Sequence, residues 1–260
     1  MTSHPRSAGL DGKRGLIVGI ANEASIAWGC AAAMHAAGAR LAVTYLNAKA
    51  EPHVRPLAER LGAELVLPCD VEKTGETEAV FDAAASLWGT LDFVVHSIAF
   101  APKDDLHGRV TDCSREGFLR AIDISCHSFI RMAKLAEPLM PQGGTLLTMS
   151  YLGAEEVIPN YNIMGPVKAA LEAASRYLAA ELGPKGIRVH AISPGPLKTR
   201  AASGLSGFDE LMDNALQRAP LRHLVSIEDV GALAAFIASD AARSITGGTL
   251  HVDAGYHILN

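Results

Sequence analysis

Cysteine is sparse and unpatterned. Cys30, Cys69, Cys113 and Cys126 stand without C-x-x-C spacing. That excludes a zinc ribbon and provides no disulfide frame. The histidines show no paired metal-ligand spacing either, so no metal is expected. No stretch approaches the roughly 18 apolar residues that span a bilayer. The opening MTSHPRSAGL lacks the apolar core of a signal peptide. These absences predict a cytoplasmic protein with no membrane partner. Basic charge is not in excess: 23 Lys and Arg face 28 Asp and Glu, a net charge of −5. A nucleic-acid partner is therefore not expected, since it needs a concentrated basic surface. Aromatics are only 5% of the chain, against 24 glycines. Few bulky anchors and many close backbone approaches suit tight strand–helix packing around a ligand.

What is present is alternation. Apolar runs at 15–20, 41–45, 64–68, 92–97, 145–150, 188–193 and 249–253 read as seven strands. Helical stretches are expected at 25–38, 53–61, 76–88, 115–137, from Tyr161 to Leu182, and at 227–239. Continuous apolar strands separated by helices mean a parallel sheet covered on both faces. The expectation is α/β: a single-domain doubly wound parallel sheet, Rossmann-like, of about seven strands, over residues 1–260. Ligands sit beyond the carboxyl ends of such strands.

The first strand runs into Gly19, then a turn, then Ser25-Ile26-Ala27-Trp28-Gly29. Gly19 suits the tight turn, and Gly29 suits close packing of the helix on the sheet. A helix starting near Ser25 offers unpaired N–H groups to a pyrophosphate, with Ser25 as cap or phosphate donor. The pattern is not G-x-G-x-x-G, and plain turn residues would look similar. After the second strand come Leu46, Asn47 and Lys49, with no clear charge to choose between a ribose hydroxyl and a ribose phosphate. Asp70 after the third strand is either an acceptor for an adenine amino group or a turn residue.

Tyr161 and Lys168 lie seven residues apart. On one α-helix that spacing puts both on one face. A phenol beside an ammonium favours negative charge developing on a bound oxygen. The bland alternative is a half-buried tyrosine and a surface lysine. Pro166, between them, demands a late helix start or a kink.

With these residues in place, the chain resembles the NADH-type bacterial enoyl-[acyl-carrier-protein] reductases, a divergent branch of the short-chain dehydrogenase/reductases. The resemblance covers nearly the full length. It rests on Gly19 with 25–29, Cys69-Asp70-Val71, 96–102, 123–125, 150–155, 159–165, Lys168-Ala169 and 195–204. The six-residue gap between Tyr161 and Lys168 is its most specific mark. The resemblance implies that Tyr161 bonds the thioester carbonyl and Lys168 holds the nicotinamide ribose. It puts Tyr151 in the acyl pocket as a catalytic residue with an acid or pocket role, and Ala101 against substrate. Gly19, Ser25, Ile26, Leu46, Asp70, Val71 and Ile98 would line the cofactor, with Leu197, Lys198, Thr199, Arg200 and Ala201 over its nicotinamide and phosphate end. Residues 197–210 would be a mobile lid. The implied cofactor is NADH, with NADPH not excluded. The implied partners are an acyl carrier protein bearing enoyl chains, which would meet Lys198 and Arg200, and further copies in a homotetramer. Leu46, Ala99, Pro166 and Pro194 depart from the pattern.

Two other readings stay open. A carbonyl (3-oxoacyl) reductase would carry a serine about a dozen residues before the tyrosine, and Ser150 is eleven before Tyr161. A cofactor-binding regulator without catalysis would tolerate the departures.

Overall fold

The computed structural model describes residues 9–199 and 207–259. Its strands are β1 (Arg14–Val18), β2 (Arg40–Tyr45), β3 (Leu65–Pro68), β4 (Phe93–His96), β5 (Gly144–Met149), β6 (Ile187–Pro194) and β7 (Thr249–Val252). They form one sheet in the order β3-β2-β1-β4-β5-β6-β7, with every pair parallel. All seven expected strands are present.

The helices are α1 (Ile26–Ala36), α2 (Glu51–Arg60), α3 (Glu76–Trp88), α4 (Lys103–His107), α5 (Arg115–Ile122), α6 (Ser128–Ala136), α7 (Met164–Leu182), α8 (Phe208–Arg218) and α9 (Ile227–Ala238). Strand alternation divides the core. Ile17, Val43, Val95, Leu147 and Ile192 face α1, α2 and α9. Leu16, Val18, Ala42, Val94, Leu146 and Val189 face α3, α6 and α7. Both faces are apolar, so the strands read as continuous hydrophobic runs.

Three local expectations change. The stretch 115–137 is not one helix: a π turn at Asp123–His127 separates α5 from α6. The short α4 and the eleven-residue α8 were not expected. Gly29 packs against α9, not the sheet. A Cβ there would lie 2.2 Å from the Ile227 carbonyl oxygen, and one at Gly231 would lie 2.3 Å from the Gly29 oxygen. The two helices thus touch backbone to backbone, over two missing side chains.

Among the described residues, no helix is long and apolar enough to cross a membrane. None of their His, Cys, Asp and Glu side chains gather into a group that could hold a metal.

Candidate active site

The sheet order reverses between β1 and β4, so their carboxyl ends meet at a switch point where ligands bind. Val18 pairs with His96 there. Gly19 follows with φ +111°, and a Cβ would stand 2.1 Å from the Ser97 carbonyl oxygen. The crevice floor is therefore bare backbone by necessity.

The next turn is braced from inside. Ser25 Oγ accepts the N–H groups of Ala21 and Asn22, each at 3.0 Å, and its hydroxyl reaches Asn22 Oδ1 at 3.3 Å. Ser25 makes no side-chain cap on α1. This corrects the cap expectation: its oxygen is spent on shaping the turn. The N–H groups of Ile26 and Ala27, ahead of the first bonds to the Ser25 carbonyl, have no intrahelical carbonyl to bond and lie at the positive end of the helix dipole. They could hold an anion at this turn.

The turns after β2 and β3 are less committed. Leu46 is 53% exposed. Asn47 Oδ1 accepts from the N–H groups of Lys49 and Ala50, so it serves the entry to α2. Asp70 is half-buried; its Oδ1 accepts Glu72 N–H at 3.1 Å while its own N–H donates to Glu76. One carboxylate oxygen is thus a turn acceptor. Val71 is buried, and its carbonyl accepts from Arg131 at 2.9 Å. Ile98 is half-buried against the α3, α6 and α7 layer.

Tyr161 does not lie on the helix that carries Lys168. It sits in the turn before α7, between Asn160 (φ 63°) and Asn162 (φ 44°). Asparagine tolerates this left-handed backbone better than most residues, and Asn162 is anchored to the Leu106 carbonyl at 2.7 Å. Pro166 is the third residue of α7. Its missing N–H would have had no intrahelical partner, so the helix starts late and needs no kink.

The turn buries Tyr161 and sets its ring edge-on to Tyr151, centroids 4.9 Å apart. Gly153 makes room: a Cβ there would stand 2.3 Å from the Tyr161 ring. Burial pushes both phenols well above the usual range, with the other aromatic or acidic groups adding to it. Both therefore stay protonated, and each can donate its hydroxyl proton in a hydrogen bond to an incoming oxygen. Tyr151 Oη is buried and has no hydrogen-bond partner among the described residues. An orphaned donor of this kind points to a ligand. Ala101 packs half-buried against the same cluster as the two tyrosines, with α8 residues Leu211 and Ala215.

Lys168 is buried, and its Nζ donates to the Met149 carbonyl at 2.6 Å. Burial lowers the ammonium to about 8, opposed by Cys126 and Glu172. An ammonium has three donors, so two remain for a ligand. Across the sheet end, His96 bonds Thr148 at 2.9 Å and Ser128 at 2.7 Å, and burial drives it down to about 3. Near pH 7 it is neutral, and it stands as a structural post between β5 and α6.

Ser150 is buried, and its hydroxyl donates to Glu172. It is therefore taken before any substrate arrives. Glu172 escaped the sequence reading, because a glutamate in an alanine-rich helix looks like a solvated face. Leu197 is buried in the core, and Thr199 N–H turns back to its carbonyl at 2.8 Å. Lys198 pairs with Asp209 of α8 at 3.5 Å. Arg200, Ala201 and residues 202–206 of the expected lid lie outside the described residues; its end, from Phe208, is α8.

A doubly wound parallel sheet, a backbone cradle at its switch point and a buried tyrosine–lysine set define a dinucleotide-dependent oxidoreductase of the short-chain class. Comparison with known proteins narrows this. The family described as enoyl-(acyl carrier protein) reductase matches residues 19–257, and the chain belongs to that family. It is 49% identical over 251 residues to enoyl-[acyl-carrier-protein] reductase [NADH] 2 of Rhizobium meliloti, covering 96% of this chain and 94% of that one. It is 48% identical over 250 residues to the [NADH] enzyme of Escherichia coli, covering 96% and 95%. The reductase of Anaplasma phagocytophilum, solved in complex with NAD, superposes with a TM-score of 0.93 at 48% identity, covering 98% of each chain.

Proposed function

We propose that this protein reduces the carbon–carbon double bond of trans-2-enoyl thioesters carried on acyl carrier protein, with NADH as donor. The observation that carries the reading is the edge-on pair of Tyr161 and Tyr151, with Tyr151 Oη buried and unpartnered among the described residues, beside a Lys168 buried on the same chain segment. Family membership agrees with it. The carbonyl-reductase reading needs a serine hydroxyl free for substrate, and Ser150 is occupied by Glu172.

The residues present fit a dinucleotide. Gly19 leaves the bare floor a pyrophosphate needs, and the first turn of α1 from Ile26 supplies N–H donors. Asp70, Val71 and Ile98 would line the adenine side, and Leu197 to Ala201 the nicotinamide side. When bound, NADH supplies hydride to the β-carbon. Tyr161 would donate to the thioester carbonyl and hold the negative charge as the enolate forms. Lys168 would hold the ribose and set a positive field beside that oxygen. Tyr151 and Ala101 would bound the acyl chain, and 197–210 would close over it and exclude water.

The carrier would dock near Lys198 at the portal. A homotetramer fits the apolar side chains exposed on α5, α6 and α7: Phe118, Leu119, Ile130 and the 80%-exposed Tyr177. Light-scattering mass in solution tests it. Four free cysteines suit the cytoplasm.

The deciding assay follows NADH oxidation with crotonyl and dodecenoyl thioesters against 3-oxoacyl thioesters. Turnover of the enoyl substrates is expected. Turnover of the oxo substrates alone, or of neither, overturns the reading.

A further inference from the structure

The end of β5 is gripped twice by α7, in opposite senses. Lys168 Nζ donates to the carbonyl of Met149. One residue on, the Ser150 hydroxyl donates to the carboxylate of Glu172. Lys168 and Glu172 are one helical turn apart on the same face. The next residue after this clamp is Tyr151.

Glu172 is only 5% exposed. A buried carboxylate is costly unless it is paired and hydrogen-bonded. A glutamine would accept the same serine hydroxyl without that cost, so the hydrogen bond does not explain the charge. The neighbourhood does. Around Lys168 stand Cys126 from the π turn, His96 from β4 and Glu172 from its own helix. Burial raises the Cys126 thiol and keeps His96 neutral, so neither can balance an ammonium. Around Glu172 stand Glu155 from the turn after β5, Thr249 and His251 from β7, and Tyr161 from the turn before α7. Burial and Glu155 push its carboxyl up; Ser150, Thr249 and His251 hold it down.

We propose that Glu172 is a positioning residue of this site: it fixes the Ser150 hydroxyl, and with it the approach to Tyr151, and its negative charge balances the buried Lys168 ammonium. This rests on the reading of Lys168 as the group that holds the nicotinamide ribose.

The sign of the effect follows. Lys168 works as the ammonium, so NADH affinity falls as pH rises through its pKa. Removing the Glu172 charge makes the ammonium harder to hold, so that loss moves to lower pH. A nearby opposite charge favours the ammonium and holds its pKa up. In Glu172→Gln, the alkaline limb of NADH affinity, read by nucleotide fluorescence, should fall by about one pH unit. Glu172→Asp keeps the charge and should restore most of that unit. Ser150→Ala keeps the carboxylate but removes one of the groups that hold it ionised, so its limb should move less than that of Glu172→Gln, while kcat falls and KM for NADH does not. Lys168→Met should lose the limb altogether.

Thermal melting of the apo chains gives a readout that needs no cofactor. Removing one partner of a buried pair is costly, and neutralising both is nearly free. The double variant K168M/E172Q should therefore melt higher than either single variant. If E172Q alone does not fold, recovery of folding in the double variant is the same result. An unmoved limb in E172Q, or melting losses that simply add in the double variant, overturns the Glu172 proposal and leaves the Lys168 reading intact. A limb that survives in K168M overturns the Lys168 reading itself.

Discussion

Gly153→Ala adds one methyl group and bears directly on the role given to Tyr161. The new Cβ would lie 2.3 Å from Tyr161 Cδ1 and 2.8 Å from Cε1. Carbon atoms pack at about 3.5–4.0 Å, so the ring must retreat by about 1 Å. It has little room, being 8% exposed and held edge-on by Tyr151 at 4.9 Å. Overpacking of this kind costs about 1–3 kcal/mol, a fall in Tm of roughly 2–4 °C for each kcal/mol in a chain near this size. The catalytic loss should be larger than the thermal one. A displacement of about 1 Å at a reacting group can cost 10²-fold. Steady-state NADH oxidation with dodecenoyl thioester is expected to show kcat/KM down by about two orders of magnitude. KM for NADH should hold, because the methyl does not approach Gly19 or Lys168. Gly183→Ala is the matched control: nothing beyond its chain neighbours lies within 4 Å of its Cβ and its φ is −53°. It should leave kinetics alone, with no gain in stability, because its Cβ would meet the ring of the Pro184 that follows it. A Gly153→Ala enzyme within twofold of the parent would refute the placement of the Tyr161 ring at the reacting centre.

Gly19→Ala forces a Cβ against the Ser97 carbonyl at a φ of +111°; a stability loss of about 3 kcal/mol is expected, with NADH binding lost by calorimetry in whatever remains folded. Leu46→Asp supplies the carboxylate that the end of β2 lacks; the ratio of kcat/KM for NADH over NADPH should rise about tenfold or more, and an unchanged ratio would remove Leu46 from the ribose site. His96 is held down to about 3 from 6.5. The unfolded chain therefore binds the extra proton first, so stability is lost as pH falls from about 6.5 toward 3, by up to roughly 1.4 kcal/mol per pH unit. His96→Gln should flatten that acid slope in urea melts at successive pH values, whatever it costs at pH 7.

The sheet was legible because both of its faces are buried. The central strands carry short apolar runs such as GLIV of β1 and FVV of β4, and seven mostly apolar segments in alternation with helices fit a parallel sheet. The breaks were not legible. Asp123–His127 contains neither glycine nor proline, so the π turn between α5 and α6 has no mark in the chain. The α8 pattern spreads a few apolar residues, Leu211 and Ala215 among them, over a polar helix that packs only on the small cluster beneath the tyrosines. The spacing of Tyr161 and Lys168 reads as one helical face, but two left-handed asparagines place Tyr161 in the turn before the helix that carries Lys168. Ser25 and Glu172 show the same limit from two sides. Both are polar residues whose bonds are made inside the fold, and only coordinates reveal a buried partner.

The most direct test of the account is a structure of the ternary complex with NAD⁺ and an unreactive enoyl thioester analogue. Tyr161 Oη should lie within about 2.6–3.2 Å of the thioester carbonyl oxygen, with Lys168 on the nicotinamide ribose and Ser150 still bound to Glu172. A carbonyl oxygen held by Ser150, or one beyond hydrogen-bond reach of Tyr161, would contradict it.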